Sequence, residues 1–266
     1  MTWQPLNLAH LEERPPILPN LGGLGLVYPG KRHVFSGPPE SAKTIFAYIA
    51  AIETVRQGGT VLLIDFEMGQ WDARDRLREL GATDDDLERI GYVEPEAPAT
   101  KEIVAELVET WKPTLVVIDA AAGAFDLQGL DDNKRADVER FASVYVRLFF
   151  LHDIATIVLD HVVKDPRSRN GFVIGSERKV GGADVHLGFE PVKLLYRGGR
   201  GVYRIVTRKD RSGHLPRPTA AKLELVSNPL RTRSRGPSPT RCSTTRTASS
   251  SARPCSWRGS AATLSC

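Results

Sequence analysis

Along the chain, continuous apolar runs alternate with segments whose apolar residues recur every three or four positions. The first pattern marks buried strands and the second marks helices that turn one face inward. His33-Val34-Phe35 reads as a strand, and Ala42 to Val55 as a helix with Phe46, Ile49, Ala50 and Ile52 inward. Thr60 to Glu67 is a second strand. Trp71 to Leu80 is a polar, arginine-rich helix that Gly81 stops. Ile103, Val104, Leu107, Val108 and Trp111 share one helical face ended by Pro113, and Leu115 to Asp119 is again a strand. Val138, Phe141, Tyr145 and Leu148 predict a helix, and Ala155 to His161 a strand. From about Asp184 the pattern becomes strand, turn, strand: Pro191–Tyr196, Arg197–Arg200, Gly201–Arg208. Apolar strands alternating with helices predict an α/β fold, a mainly parallel sheet covered by helices, with antiparallel strands added at its C-terminal edge. No internal repeat is present.

The length suits one such domain: 266 residues, 41% hydrophobic and 26% charged. Pro5, Pro15, Pro16 and Pro19 keep the opening irregular, so residues 1–29 form an extension and 30–228 the domain. The net charge of +4 invites a nucleic-acid reading until the charges are located. Arg231 to Cys266 holds seven arginines and no acid, whereas residues 1–230 hold 29 basic and 32 acidic residues. The basic balance belongs to the tail. That tail has nine serines, six threonines and few large apolar side chains, which predicts disorder over 229–266. Its bias, with no Val, Ile, Phe or Lys, is also what an out-of-frame stretch of a GC-rich gene produces. Cys242, Cys255 and Cys266 all lie there, so the domain has neither disulfides nor a thiolate metal site. With no leader-like start and no long apolar run, the expected location is the cytoplasm.

Candidate chemistry begins at Gly37-Pro38-Pro39-Glu40-Ser41-Ala42-Lys43-Thr44, between a strand and a helix. That is the context of a Walker A phosphate loop, in which amides at a helix start cradle phosphates. Pro38 and Pro39 lack an N–H, leaving residues 40 to 44 as donors. Lys43 would bridge the β- and γ-phosphates of ATP, and the Thr44 hydroxyl would hold Mg²⁺. Ala42 stands where glycine is usual. A helical backbone there admits alanine at little cost, but a positive φ would strain it.

Asp119, at the end of its strand, fits the Walker B acid that completes a Mg²⁺ site. A water-orienting base could be Asp65 or Glu67, which project from the same face, and Glu67 lies further toward the nucleotide edge. His161 ends its strand and could sense the γ-phosphate.

The order of these motifs resembles the RecA-like ATPase core of hexameric replicative helicases, nearest the RepA type of plasmids and phages and akin to DnaB. The resemblance covers Leu21 to Leu225 and includes a late Lys209-Asp210-Arg211-Ser212-Gly213. It implies Glu67 as the catalytic base, and Lys209 and Arg211 as a basic finger lent to the ATP of a neighbouring subunit. It also implies a ring, expected to be a hexamer. In such proteins, loops facing the channel hold single-stranded DNA, and the matching segment here carries Lys164, Arg167, Arg169, Arg178 and Lys179, with Phe172 as a stacking candidate. The expected function is a Mg²⁺-dependent ATPase motor on single-stranded DNA, a replicative helicase or helicase-like protein. A filament-forming recombination ATPase and a nucleotide-dependent switch with little turnover are the alternatives.

Overall fold

The computed structural model describes Ala9, residues 26–161 and 182–227, and two pieces of the tail, 256–258 and 262–265. Strand β1 (Arg32–Gly37) leads through the phosphate loop into helix α1 (Lys43–Arg56). There follow β2 (Val61–Asp65), α2 (Gln70–Glu79), the short α3 (Asp84–Leu87), β3 (Ile90–Val93), α4 (Lys101–Trp111) and β4 (Leu115–Asp119). Next come α5 (Ala121–Leu127), α6 (Arg135–Phe141), a π-helical turn at Ala142–Val146, α7 (Arg147–Leu151) and β5 (Ala155–His161). The chain ends with β6 (Val185–Lys193), β7 (Arg200–Asp210), β8 (Thr219–Val226), β9 (Ser256–Arg258) and β10 (Ala262–Ser265).

Across the sheet the order is β3-β2-β4-β5-β1-β6-β7-β8-β10-β9. The strands from β3 to β6 are parallel and those from β6 to β9 antiparallel. This is the mainly parallel sheet with antiparallel strands at its C-terminal edge that the strand–helix alternation predicts, and it agrees with the RecA-like core that the resemblance implies.

Strand side chains alternate between two cores, which is why the central strands are apolar at every position. Phe35, Leu63, Val117, Ile157 and Leu159 pack on one face with α1 and with Ala73 and Leu77 of α2. Val34, Leu62, Ile64, Val116 and Val158 pack on the other with α4 to α7. The phenylalanines of β1, α1 and β6 lock the first face: Phe35, Phe46 and Phe189 have ring centroids 5.2–5.5 Å apart. That cluster seats α1 directly behind the phosphate loop.

Some elements depart from the sequence pattern. β6 begins at Val185, whereas the pattern placed a strand at Pro191–Tyr196. Val185, Leu187 and Phe189 alternate inward along it, and β1 pairs with it only as far as Gly188. Pro191 therefore has no β1 partner awaiting an N–H and is tolerated where the register with β7 shifts. Within the tail, β10 lies on the open flank of β8, pairing Ala262 with Leu225 and Ser265 with Lys222. Main-chain pairing on an open edge needs few apolar side chains. Among the described residues no helix is long and apolar enough to cross a membrane.

Candidate nucleotide site

Helix α1 starts without a side-chain cap, so no protein side chain occupies its first amides as a cap. With the helix dipole these donors make an anion site. Glu40 and Ala42 both take positive φ, 59° and 68°. Left-handed residues interleaved in a loop curl successive N–H groups into a nest suited to phosphate. Of the two backbones open to Ala42 the structure takes the strained one, at a cost of about 1–2 kcal/mol for a non-glycine. Gly37 is demanded by space, since a Cβ there would lie 2.6 Å from both Phe189 O and Ser41 Oγ. β6 backs the loop a second time through Ser36 Oγ, 2.6 Å from His186 Nε2 in the interior. Burial, reinforced by Arg208 and Lys209, pushes His186 down to about 3, so this contact involves a neutral ring.

Lys43 is only 4% exposed. Its Nζ donates to the carbonyls of Gly37 (2.9 Å) and Pro38 (3.0 Å) and to Ser41 Oγ (3.3 Å). Burial lowers its pKa, and the charges of Asp119, Glu67 and Asp160 oppose that shift. Nζ also lies 3.4 Å from His161 Nδ1, while His161 Nε2 lies 3.2 Å from Glu67 Oε2. Since Lys43 can only donate, donor count assigns the imidazole proton to Nε2, which donates it to Glu67. Lys43, His161 and Glu67 thus form one chain of hydrogen bonds.

Asp119 is 4% exposed and its carboxyl is pushed up to about 6. Burial is the main cause and the Glu67 and Asp65 charges add to it, while the Thr44 hydroxyl, bonded to the carboxylate, pulls the other way. Asp119 Oδ1 is buried without a hydrogen-bond partner. A donor-free carboxylate oxygen beside a hydroxyl is a fitting oxygen set for a hard divalent cation, and Thr44 and Asp119 would be the residues to hold Mg²⁺. Among the described residues no group of three or more His, Cys, Asp or Glu makes a self-contained metal site.

The two candidates for the base are separated by their surroundings. Asp65 is buried, and its carboxylate accepts the N–H groups of Glu67, Met68 and Gly69 (2.9, 3.0 and 3.1 Å) and the Tyr92 hydroxyl (2.7 Å). These bonds end β2 at Asp65 and fold the turn that carries Glu67. Glu67 has a side chain 55% exposed and opens on a pocket of about 430 Å³ also lined by Asp65, Glu94 and Asp126. Asp65 is thus committed to the turn, and Glu67 is the acid with an open face.

Lys43, Thr44, Glu67, Asp119 and His161 all gather at the C-terminal ends of the parallel strands. Lys209 and Arg211 do not join them. β7 runs antiparallel to β6 and pairs Asp210 with Val185, and Val185 pairs with His33 near the start of β1. At 3.3 Å per residue, the five steps from Arg32 to Gly37 separate this end from the phosphate loop by about 16 Å. There Arg211 Nη1 lies 3.3 Å from Asp184 Oδ1. Lys164, Arg167, Arg169, Phe172, Arg178 and Lys179 lie outside the described residues.

The residues that sequence reasoning missed act through others: Tyr92 on Asp65, His186 on Ser36, and Asp184 on Arg32 and Arg211. Their signal is weak. Each is a polar residue in an apolar stretch, without a motif spacing to mark it.

Comparison with known proteins bears on the family and the fold. No curated protein matches the chain. The crystal structure of the RadB recombinase resembles it in fold, with a TM-score of 0.55 at 20% identity, over 76% of this chain and 89% of that one. A model of an AAA domain family, AAA_25, matches residues 2–167, a span that holds the phosphate loop, Glu67, Asp119 and His161. The chain belongs to this AAA domain family and is a RecA-like P-loop ATPase.

Proposed function

We propose that the protein couples Mg²⁺-dependent ATP hydrolysis to work on single-stranded DNA, as a replicative helicase or helicase-like replication protein. The observation that carries the hydrolysis is the bonded chain Lys43–His161–Glu67 beside the pair Thr44–Asp119, all on one sheet edge. In this reading the amides of residues 40–44 hold the phosphates, and Lys43 exchanges the loop carbonyls for β- and γ-phosphate oxygens. Mg²⁺, when bound, neutralises phosphate charge. Glu67 takes the proton of a water whose oxygen attacks the γ-phosphorus as the bond to the β–γ bridging oxygen breaks, releasing ADP. His161 touches both base and lysine, and so is placed to register loss of the γ-phosphate. Lys209 and Arg211, remote from their own nucleotide, would serve that of a neighbour in a ring. The DNA reading draws on the motif order and on the cations after His161.

A second reading, a recombination ATPase forming filaments on DNA, draws on the likeness in fold to the RadB recombinase. A third, a nucleotide switch with little turnover, draws on the strain at Ala42. Strand displacement on a forked duplex tests the first, with the wild type set against Lys43→Ala and Glu67→Gln. Wild type should separate strands with ATP, and both variants should lose at least about 10²-fold of that rate. A wild type that hydrolyses ATP but never separates strands overturns the helicase reading. Filaments on single-stranded DNA in negative stain would favour the second, and tight ATP binding without DNA-stimulated turnover the third.

A further inference from the structure

Asp184, in the turn that leads into β6, organises the end of the sheet remote from the nucleotide. Its carboxylate accepts Arg32 N and Nε at Oδ2 and Arg32 Nη2 at Oδ1, each at 3.1 Å. Oδ1 also accepts Arg211 Nη1 at 3.3 Å. The main chains are tied as well: Asp184 N donates to Arg32 O (2.8 Å), and Arg211 N donates to Asp184 O (3.0 Å). Asp184 is buried; burial acts to raise its pKa, yet Arg32 and Arg211 hold it below the usual carboxylate range.

The two arginines are held differently. Arg32 lies with its guanidinium 4.9 Å from the centre of the Phe150 ring and takes three of the bonds. Arg211 gives Asp184 one N–H, and its side chain remains 55% exposed. Lys209, its pKa lowered by burial and then by Arg211, adds a third cation to the cluster. The cluster is therefore net positive around its carboxylate. Asp184 can orient Arg211 without cancelling the charge that Arg211 presents.

We propose that Asp184 is the positioning residue for Arg211, holding its guanidinium at one place on the rim, ready for the phosphate chain of a nucleotide on a neighbouring copy. This rests on the reading of Arg211 as a finger acting between subunits. The reason is preorganisation. A free arginine must give up many rotamers to meet a phosphate in the transition state, and one fixed N–H together with a tied backbone removes much of that loss beforehand.

A double-mutant cycle tests it, with wild type, Asp184→Asn, Arg211→Ala and the double variant compared in ATP turnover and nucleotide titration. Arg211→Ala should lower turnover about 10³-fold with nucleotide binding retained. Asp184→Asn should lower kcat about 10–100-fold while KM for ATP and nucleotide affinity stay unchanged. In the Arg211→Ala background it should change nothing further. The proposal is overturned if Asp184→Asn leaves kcat intact while Arg211→Ala abolishes it, or if it lowers kcat by the same factor in both backgrounds, which is a structural effect. Full activity of Arg211→Ala instead removes the finger reading itself, and this inference with it. Should Asp184→Asn not fold, Asp184→Glu keeps the charge but displaces it by one methylene. The same loss of kcat, confined to the background that retains Arg211, is expected, and unchanged kcat overturns the proposal.

Discussion

The two ends of the parallel strands bury charge in opposite ways. At the C-terminal end a buried cation, Lys43, lies among Asp119, Glu67 and Asp160. At the N-terminal end a buried carboxylate, Asp184, lies between Arg32 and Arg211 with Lys209 nearby. Each end pairs its buried charge with opposite charges in excess, and each keeps a partly open group of the majority sign, Glu67 at one and Arg211 at the other. Neither end complements itself. In the proposed reading, an end that holds phosphates and an end that offers cations would complement one another across two copies, in a head-to-tail contact. Such contacts close into rings or run on as filaments according to the rotation between copies.

Mixing subunits is the most forceful way to break that comparison. Lys43→Ala removes one end and Arg211→Ala the other, and each variant alone should lose about 10³-fold in ATP turnover. Mixed together, Lys43→Ala copies should lend their arginine to the intact nucleotide sites of Arg211→Ala copies, and turnover should partly return in a coupled ATPase assay. No recovery at any mixing ratio would mean that the two ends do not meet.

A smaller effect separates the ends by pH. Asp119 titrates near 3.8 when unfolded and near 6 when folded, so between those values the folded chain holds the extra proton. Without nucleotide and metal its contribution to stability is therefore lost as pH rises from about 4 through 6 and stays lost above. The shift corresponds to about 3 kcal/mol. Asp119→Asn should then gain up to about that much stability at pH 7.5 in urea melts, with a much smaller gain at pH 4.5, while losing ATP turnover. Asp184 has the opposite sign: its depressed pKa supports the fold above the unfolded value and fails as pH falls through the folded one. Equal gains for Asp119→Asn at both pH values would show that the carboxyl is not destabilised by its burial.

The smallest effect lies in the loop backbone. Ala42→Gly relieves the left-handed strain and should stabilise the chain by about 1 kcal/mol, read from the shift in denaturation midpoint. A destabilised Ala42→Gly would mean that the packing of the Ala42 methyl against the core outweighs its φ.

How much of this was legible depends on how local each cause is. The phosphate loop is a run of contiguous residues whose chemistry follows from the strand before it and the helix after it. Leu115–Asp119 and Ala155–His161 have the predicted bounds, because each apolar run closes on polar side chains, Asp119 in the one and Asp160-His161 in the other. β3 escaped notice because it has four residues with Gly91 among them, and Gly91 is there to make room for the Trp111 ring. α5 hid behind its own Gly123, which lies close against Phe66. β6 was misplaced because His186, Gly188 and Glu190 alternate with Val185, Leu187 and Phe189, and the polar half obscured the apolar half. At the site, Glu67 is favoured over Asp65 by its place further toward the nucleotide edge, and the family resemblance settles the choice. The physical ground for it, three amides and a tyrosine engaging Asp65, depends on a turn and on a residue 27 positions away. Pairings such as Arg32 with Asp184, 152 residues apart, leave no trace in spacing at all.

One further consequence attaches to the uncapped start of α1. The helix is secured through its buried face, by Phe46 against Phe35 and Phe189, while its leading amides are left without a side-chain acceptor. A phosphate at that end would occupy the place of the serine, threonine or aspartate that caps an ordinary helix. Seen this way, the bound nucleotide is a missing residue of the fold: binding completes a hydrogen-bond inventory that the chain alone leaves short, and the first turn of α1 should exchange its amide protons more slowly only once it is there.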